Sequence, residues 1–198
     1  MGGAVDGVQS TWIERETSQR DEVVRLGVWM FLATVAMLFA AFASAYLVRR
    51  GSTDWAPVPL PSVLWLNTLV LTLSSLALEV GYTVGLARRW TAASGALGAA
   101  VALGTGFLGG QVVAWQTLVA SGVVLPDTPY ASFLYVLTGA HALHVLGALA
   151  LLAYAAFRTW QGLGGHDATL WRRTVEASRT CWHFLLGIWA FVLLLLSF

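Results

Sequence analysis

Residues 130–158 read YASFLYVLTGAHALHVLGALALLAYAAFR, and this stretch decides the fold. Its first ionised side chain is Arg158, its last residue, so as a helix rising about 1.5 Å per residue it can cross a hydrocarbon core of about 30 Å. Two histidines, His141 and His144, lie near its middle, one helical turn apart on one face. Imidazole is costly in hydrocarbon unless something hydrogen-bonds it, so intramembrane histidines face a bundle interior, a cavity or a partner. Every other segment is therefore a candidate neighbour for this one.

The 198 residues are 58% hydrophobic and only 11% charged, against about 25% charged in soluble domains. With a mean hydropathy of +0.72, the composition predicts an all-α, polytopic membrane protein. A net charge of +1 without a basic run excludes nucleic acid as a partner. The single cysteine, Cys181, excludes a disulfide framework and a paired-thiolate metal site. The N-terminal stretch carries Asp6, Glu14, Glu16, Asp21 and Glu22 and lacks the apolar core of a signal peptide, so targeting is assigned to the first spanning helix.

Residues 1–24 are expected to form a polar cytoplasmic arm, in which Thr11 and Glu14 have the spacing of a capping box that can start a short surface helix. Residues 25–198 form a membrane domain of five helices, at about 26–48, 62–87, 92–120, 130–158 and 175–198. Pro57, Pro59 and Pro61 make the first link an ordered turn, with Trp55 suited to the membrane interface. The third helix is rich in glycine, and Ala102, Gly106 and Gly110 recur every fourth residue, a ridge that admits a neighbouring backbone and predicts a central position. Asp127 lies in the loop between the third and fourth helices, outside membrane depth.

The arginines orient the bundle. Arg15, Arg20, Arg25, Arg88, Arg89, Arg158, Arg172, Arg173 and Arg179 fall on one side, and only Arg49 and Arg50 on the other. The positive-inside rule then predicts a cytoplasmic N-terminus and an external C-terminus. Trp65 and Trp115 suit the outer interface, and Trp90, Trp160 and Trp171 the inner one.

Rise per residue sorts the buried polar groups by depth. His141 and Gln111 both fall roughly 14 to 17 Å from the outer end, so a hydrogen bond between the fourth and third helices is expected. Glu79 and His183 fall about 13 and 10 Å from the inner end and can pair, and His144 is expected to face that layer. Three readings fit this set of Glu79, Gln111, His141, His144 and His183: hydrogen-bonded struts, a proton or ion path through Glu79, His144 and His183, or a haem or metal site. The metal reading is weakened by the offset of about 10 Å in depth between His144 and His183. Arg172, Arg173, Glu176 and Arg179 cluster at the inner mouth of the fifth helix, where arginines can bind lipid phosphate; ordinary positive-inside residues are the simpler reading.

The fourth and fifth helices resemble subunit III of haem-copper terminal oxidases, in its short five-helix bacterial form. The motif Thr138-Gly139-Ala140-His141-Ala142-Leu143-His144-Val145 is similar to that family's Gly-x-His-x-x-His-Val segment. Val175-Glu176, followed by Trp182-His183-Phe184 and Trp189, is a second match. Arg25-Leu26-Gly27, Leu66-Asn67-Thr68, Ser74-Ser75, Leu103-Gly104, Phe107 and Gln111 follow in family order. Two departures stand out: Val35 and Leu186 occupy positions where the family usually has carboxylates, which counts against a carboxylate-based proton role.

The resemblance implies a non-catalytic accessory subunit of cytochrome c oxidase, a proton-translocating oxidoreductase of aerobic respiration, in the bacterial inner membrane. It implies a partner subunit I holding the haems and copper, a subunit II, and phospholipid between the helices, with no cofactor or catalytic residue in this chain. Stabilising subunit I, proton uptake and oxygen access are the implied roles. The third subunit of a quinol oxidase, or a protein associated with nitric-oxide reductase, is the alternative within that class. A small cytochrome b-like anchor or an independent transporter is the alternative outside it.

Overall fold

The computed structural model of the chain describes residues 3–125 and 128–197, with side chains described from Glu22 onward, Leu163 excepted. Asp127 and Pro126 lie outside the described residues. The described elements are all helical: α1 (Gly3–Arg49), α2 (Val63–Leu86), α3 (Trp90–Ala120), α4 (Pro129–Trp160), the short α5 (Leu163–His166) and α6 (Ala168–Ser197). Five of them are long and apolar enough to cross a membrane, α1 from Glu22 onward.

Helix ends follow local chemistry. α4 starts where the Thr128 hydroxyl accepts from the Ala131 amide at 3.1 Å, with Pro129 in the first turn where a missing N–H costs nothing. α6 starts seven residues earlier than the sequence predicted, because the Asp167 carboxylate accepts from the Leu170 amide at 2.8 Å and caps it. Arg172 and Arg173 consequently lie on the helix rather than before it. α1 does not start at Thr11 either: it runs unbroken from Gly3, so the polar arm continues the first span as one helix.

α2, α3, α4 and α6 close a ring in which each packs on the next, and α1 lies outside it against α4 and α6. The most buried spans are α4 and α6, so the glycine-rich α3 is not the centre. The expected ridge also turns out differently. Ala102 and Gly106 face outward, while Ala93, Leu97, Ala100, Gly104, Phe107, Gln111 and Ala114 face in. A spacing of four drifts around a helix of 3.6 residues per turn, so a strict every-fourth series cannot stay on one contact face. Close approach is made at Gly110, where an added Cβ would collide with the Asn67 carboxamide of α2, and at Gly104, where it would meet Trp182 of α6. Asn67 donates to the Phe107 carbonyl at 3.3 Å, and Ser74 to the Ala100 carbonyl at 2.7 Å, which ties α2 to α3.

At one end of the bundle Trp55 packs edge-on against Tyr46 and Tyr130, with ring centroids 4.9 and 5.5 Å apart, and Tyr130 donates to the Leu196 carbonyl. At the other end Trp171, expected at the interface, is buried instead. It stacks on Tyr82, meets Trp90 edge-on and donates to Thr159 at 2.9 Å, so its indole N–H has a partner inside the protein.

Candidate functional site

Thr68, Thr72, Ser75, Glu79 and Tyr82 recur at intervals of three or four on α2 and so share a stripe. Arg172, Glu176, Arg179, His183, Leu186 and Trp189 do the same on α6. The two stripes face each other in opposite directions and form a ladder. Trp189 donates to the Thr68 hydroxyl at 3.0 Å. The Ser75 hydroxyl lies 2.5 Å from His183 Nδ1. Arg179 grips Glu79 with both ends of its fork, Nη2 to Oε1 at 2.6 Å and Nε to Oε2 at 2.9 Å. Tyr82 donates to Glu176 at 2.6 Å, Arg172 donates to the same carboxylate at 2.8 Å, and the Arg179 guanidinium sits 4.0 Å over the Tyr82 ring.

His183 joins two rungs, since its Nε2 lies 3.3 Å from Glu79 Oε2. An ionised carboxylate only accepts, so the bond to Glu79 requires a proton on Nε2, and in the neutral ring Nδ1 then accepts from the Ser75 hydroxyl. Leu186 falls opposite Thr72, whose hydroxyl turns back to its own helix at the Thr68 carbonyl. The chain thus has an apolar gap in the ladder where the resembling family usually carries an aspartate.

The other histidines behave differently from the sequence expectation. His141 is completely buried at the centre of the ring, stacked on Trp189 at 5.0 Å and met edge-on by Phe107 at 5.8 Å. Gln111 is equally buried, yet no hydrogen bond joins the two, and among the described residues neither side chain has a hydrogen-bond partner. Equal depth did not bring equal direction. His144 does not face the Glu79 layer. Its Nδ1 turns to the Ala140 carbonyl at 2.7 Å and its ring lies against Phe31 and Phe39 of α1. A proton path through Glu79, His144 and His183 is therefore not contiguous. Among the described residues no three His, Cys, Asp or Glu side chains converge as metal ligands.

A cleft separates α1 from α4 and α6. Its apolar part, about 610 Å³, is lined by Phe31, Leu32, Val35, His144, Gly147 and Leu185 among others. Val24 and Val28 also line an adjoining polar part of about 590 Å³, where Arg25, Arg172, Arg173 and Arg179 meet Glu22 and Glu176. The arginine cluster read from the sequence thus forms the mouth of an apolar cleft. What sequence reasoning missed was the bidentate pair of Arg179 with Glu79 and the bond of Tyr82 to Glu176. The signal was present as matched polar stripes of opposite direction on the second and last helices.

The profile of the family described as Cytochrome c oxidase subunit III matches residues 7–198. A Cytochrome c oxidase subunit 3 of Thermostichus vulcanus is 32% identical over 181 residues, covering 86% of this chain and 85% of that protein. A Probable cytochrome c oxidase subunit 3 of Nocardia farcinica is 30% identical over 152 residues, 71% of each chain. A Cytochrome c oxidase subunit 3 of a Bacillus species is 27% identical over 190 residues, covering 90% of this chain and 87% of that one.

Proposed function

The chain belongs to the cytochrome c oxidase subunit III family, and on that premise we propose that it is the non-catalytic accessory subunit of a haem-copper terminal oxidase. One observation carries this reading: the similarity runs through all five spans rather than through a single motif. In this reading subunit I holds the haems and copper, subunit II completes the complex, and this chain contributes no catalytic residue and no cofactor. Its location is the bacterial inner membrane, with the arginine-rich ends of the helices in the cytoplasm.

The α1 cleft is the element we assign to phospholipid. Its mouth offers Arg25, Arg172 and Arg173 to a phosphate, and its interior offers hydrocarbon walls to an acyl chain. The same walls suit an apolar gas, which is the form in which a role in oxygen access is open to this chain. Proton uptake has weaker support, because Val35 is buried among apolar side chains and Leu186 interrupts the ladder.

Gentle extraction of the tagged chain, followed by mass spectrometry and a visible spectrum, tests the reading. A haem-bearing subunit is expected to co-purify, and the chain stripped of partners is expected to show no Soret band. A stoichiometric Soret band on the isolated chain would instead identify a small cytochrome. Solute or ion flux in liposomes containing this chain alone would identify a transporter.

A further inference from the structure

We infer that the centre of the bundle holds a bound water molecule, bridging the Gln111 carboxamide of α3 and a ring nitrogen of His141 of α4. The site belongs to this chain alone and stands whatever complex the chain serves. Its first ground is a set of polar atoms without partners. Gln111 is 1% exposed and His141 0%, and all four of their side-chain nitrogen and oxygen atoms lack a hydrogen bond among the described residues. Buried polar atoms are nearly always paired, with protein or with ordered water, because a bare one forfeits its bonds without replacement.

The second ground is that both side chains come to one place. Phe107, one turn before Gln111, meets the His141 ring edge-on at 5.8 Å, and Trp115, one turn after it, donates to Thr138 at 3.0 Å. Thr138 itself lies one turn before His141 on α4. α3 and α4 run in opposite directions, so these two contacts bracket Gln111 and set it level with the turn from Thr138 to His141.

The neighbours leave the four atoms to one another. Trp189, stacked on His141 at 5.0 Å, spends its indole N–H on Thr68, and Asn67 gives its amide to the Phe107 carbonyl. Phe39 and Phe107 offer His141 only ring contacts, and the Thr138 hydroxyl already donates to the Leu134 carbonyl at 2.6 Å. The imidazole is held by three aromatic rings, so it cannot swing to meet Gln111 without breaking those contacts.

The chemistry of the pair names the ligand. Neutral imidazole has one N–H donor and one lone pair, and a carboxamide donates through its NH2 and accepts through its oxygen. A bridge must accept from one side and donate to the other, which water does. A structural metal ion takes four or more ligands, more than these side chains supply, and an anion finds no cation among them. The free lone pair of the Thr138 hydroxyl is a further acceptor, which gives the water the roughly three partners usual for a buried site. Bound there, it ties α3 to α4 one turn from the Trp115–Thr138 bond.

The test uses the intact complex with this chain's histidines isotope-labelled at nitrogen, because solid-state NMR can pass magnetisation from water to the nitrogens it touches. The His141 signal is the one missing from His141→Phe. Gln111→Met keeps the length of the side chain and removes both polar atoms; it is expected to weaken transfer from water to His141 at least fivefold and to leave the other histidine signals unchanged. Independently of any variant, a density map of the wild-type complex that resolves ordered water is expected to show one within hydrogen-bonding distance of both side chains. A direct bond between Gln111 and His141 in that map overturns the inference. So does absence of transfer to wild-type His141, or transfer that persists undiminished in Gln111→Met.

Discussion

Replacing Glu79 by Gln isolates the strongest rung of the α2–α6 ladder. The substitution keeps shape and one acceptor oxygen but removes the charge that Arg179 holds through two bonds at 2.6 and 2.9 Å. Breaking a buried ion pair costs about 3–5 kcal/mol, and an exposed pair contributes about 0–1 kcal/mol. With a quarter of Arg179 and two fifths of Glu79 uncovered, the pair falls between these limits, and a loss of about 2 kcal/mol is expected. The assay is equilibrium unfolding in mixed micelles of Glu79→Gln, Arg179→Met and the double variant. Each single variant should lose about 2 kcal/mol, and the double variant should lose little more than one of them, a coupling of at least about 1 kcal/mol. Additive losses would mean that the two side chains stabilise the bundle independently, and the ladder would then be a coincidence of positions.

Three other outcomes follow from the geometry. Gly110→Ala should destabilise the bundle by about 1–3 kcal/mol because its Cβ meets Asn67, whereas Gly109→Ala, one residue earlier and facing open space, should be neutral or stabilising by up to about 1 kcal/mol in the same unfolding assay. His141→Phe should be tolerated within about 1.5 kcal/mol, because the ring stacks on Trp189 and its nitrogens make no hydrogen bond to a described residue; His141→Ala should cost about 3 kcal/mol by opening a cavity. The Ser52 hydroxyl, with Arg49 beside it, holds the Asp54 carboxyl below its ordinary value of 3.8. Its folded pKa is thus depressed, so its small contribution is complete above the unfolded value and is lost as pH falls through the lower folded one; Asp54→Asn should abolish that acid-side dependence in a pH titration of loop order.

The span count and the helix-breaking link after α1 were legible because hydrocarbon thickness and proline chemistry leave few choices. Depth was legible too: Glu79 and His183, counted from different helices, lie 3.3 Å apart. Direction around each helix was not. Gln111 and His141 share a depth but do not bond, and His144 turns toward α1 although it follows His141 by less than one turn. Azimuth depends on which helices are neighbours, and a single sequence fixes that only weakly for spans such as α3 and α4, which are apolar on nearly every side. The start of α6 was hidden for a smaller reason, since Asp167 sits beside glycines that suggest a loop and its cap becomes visible only with the Leu170 amide 2.8 Å away.

The position of α1 outside the ring has a consequence for biogenesis. It leaves the ribosome before α4 and α6, and these two helices supply the surfaces it rests on. A nascent chain of three spans holds α1 in the bilayer with neither of those surfaces available. Docking of α1, and with it closure of the cleft walled by Phe31, Leu32 and Leu185, therefore reports that synthesis has passed α6. Truncated chains should be distinguishable to the membrane's quality-control proteases by a loose first helix.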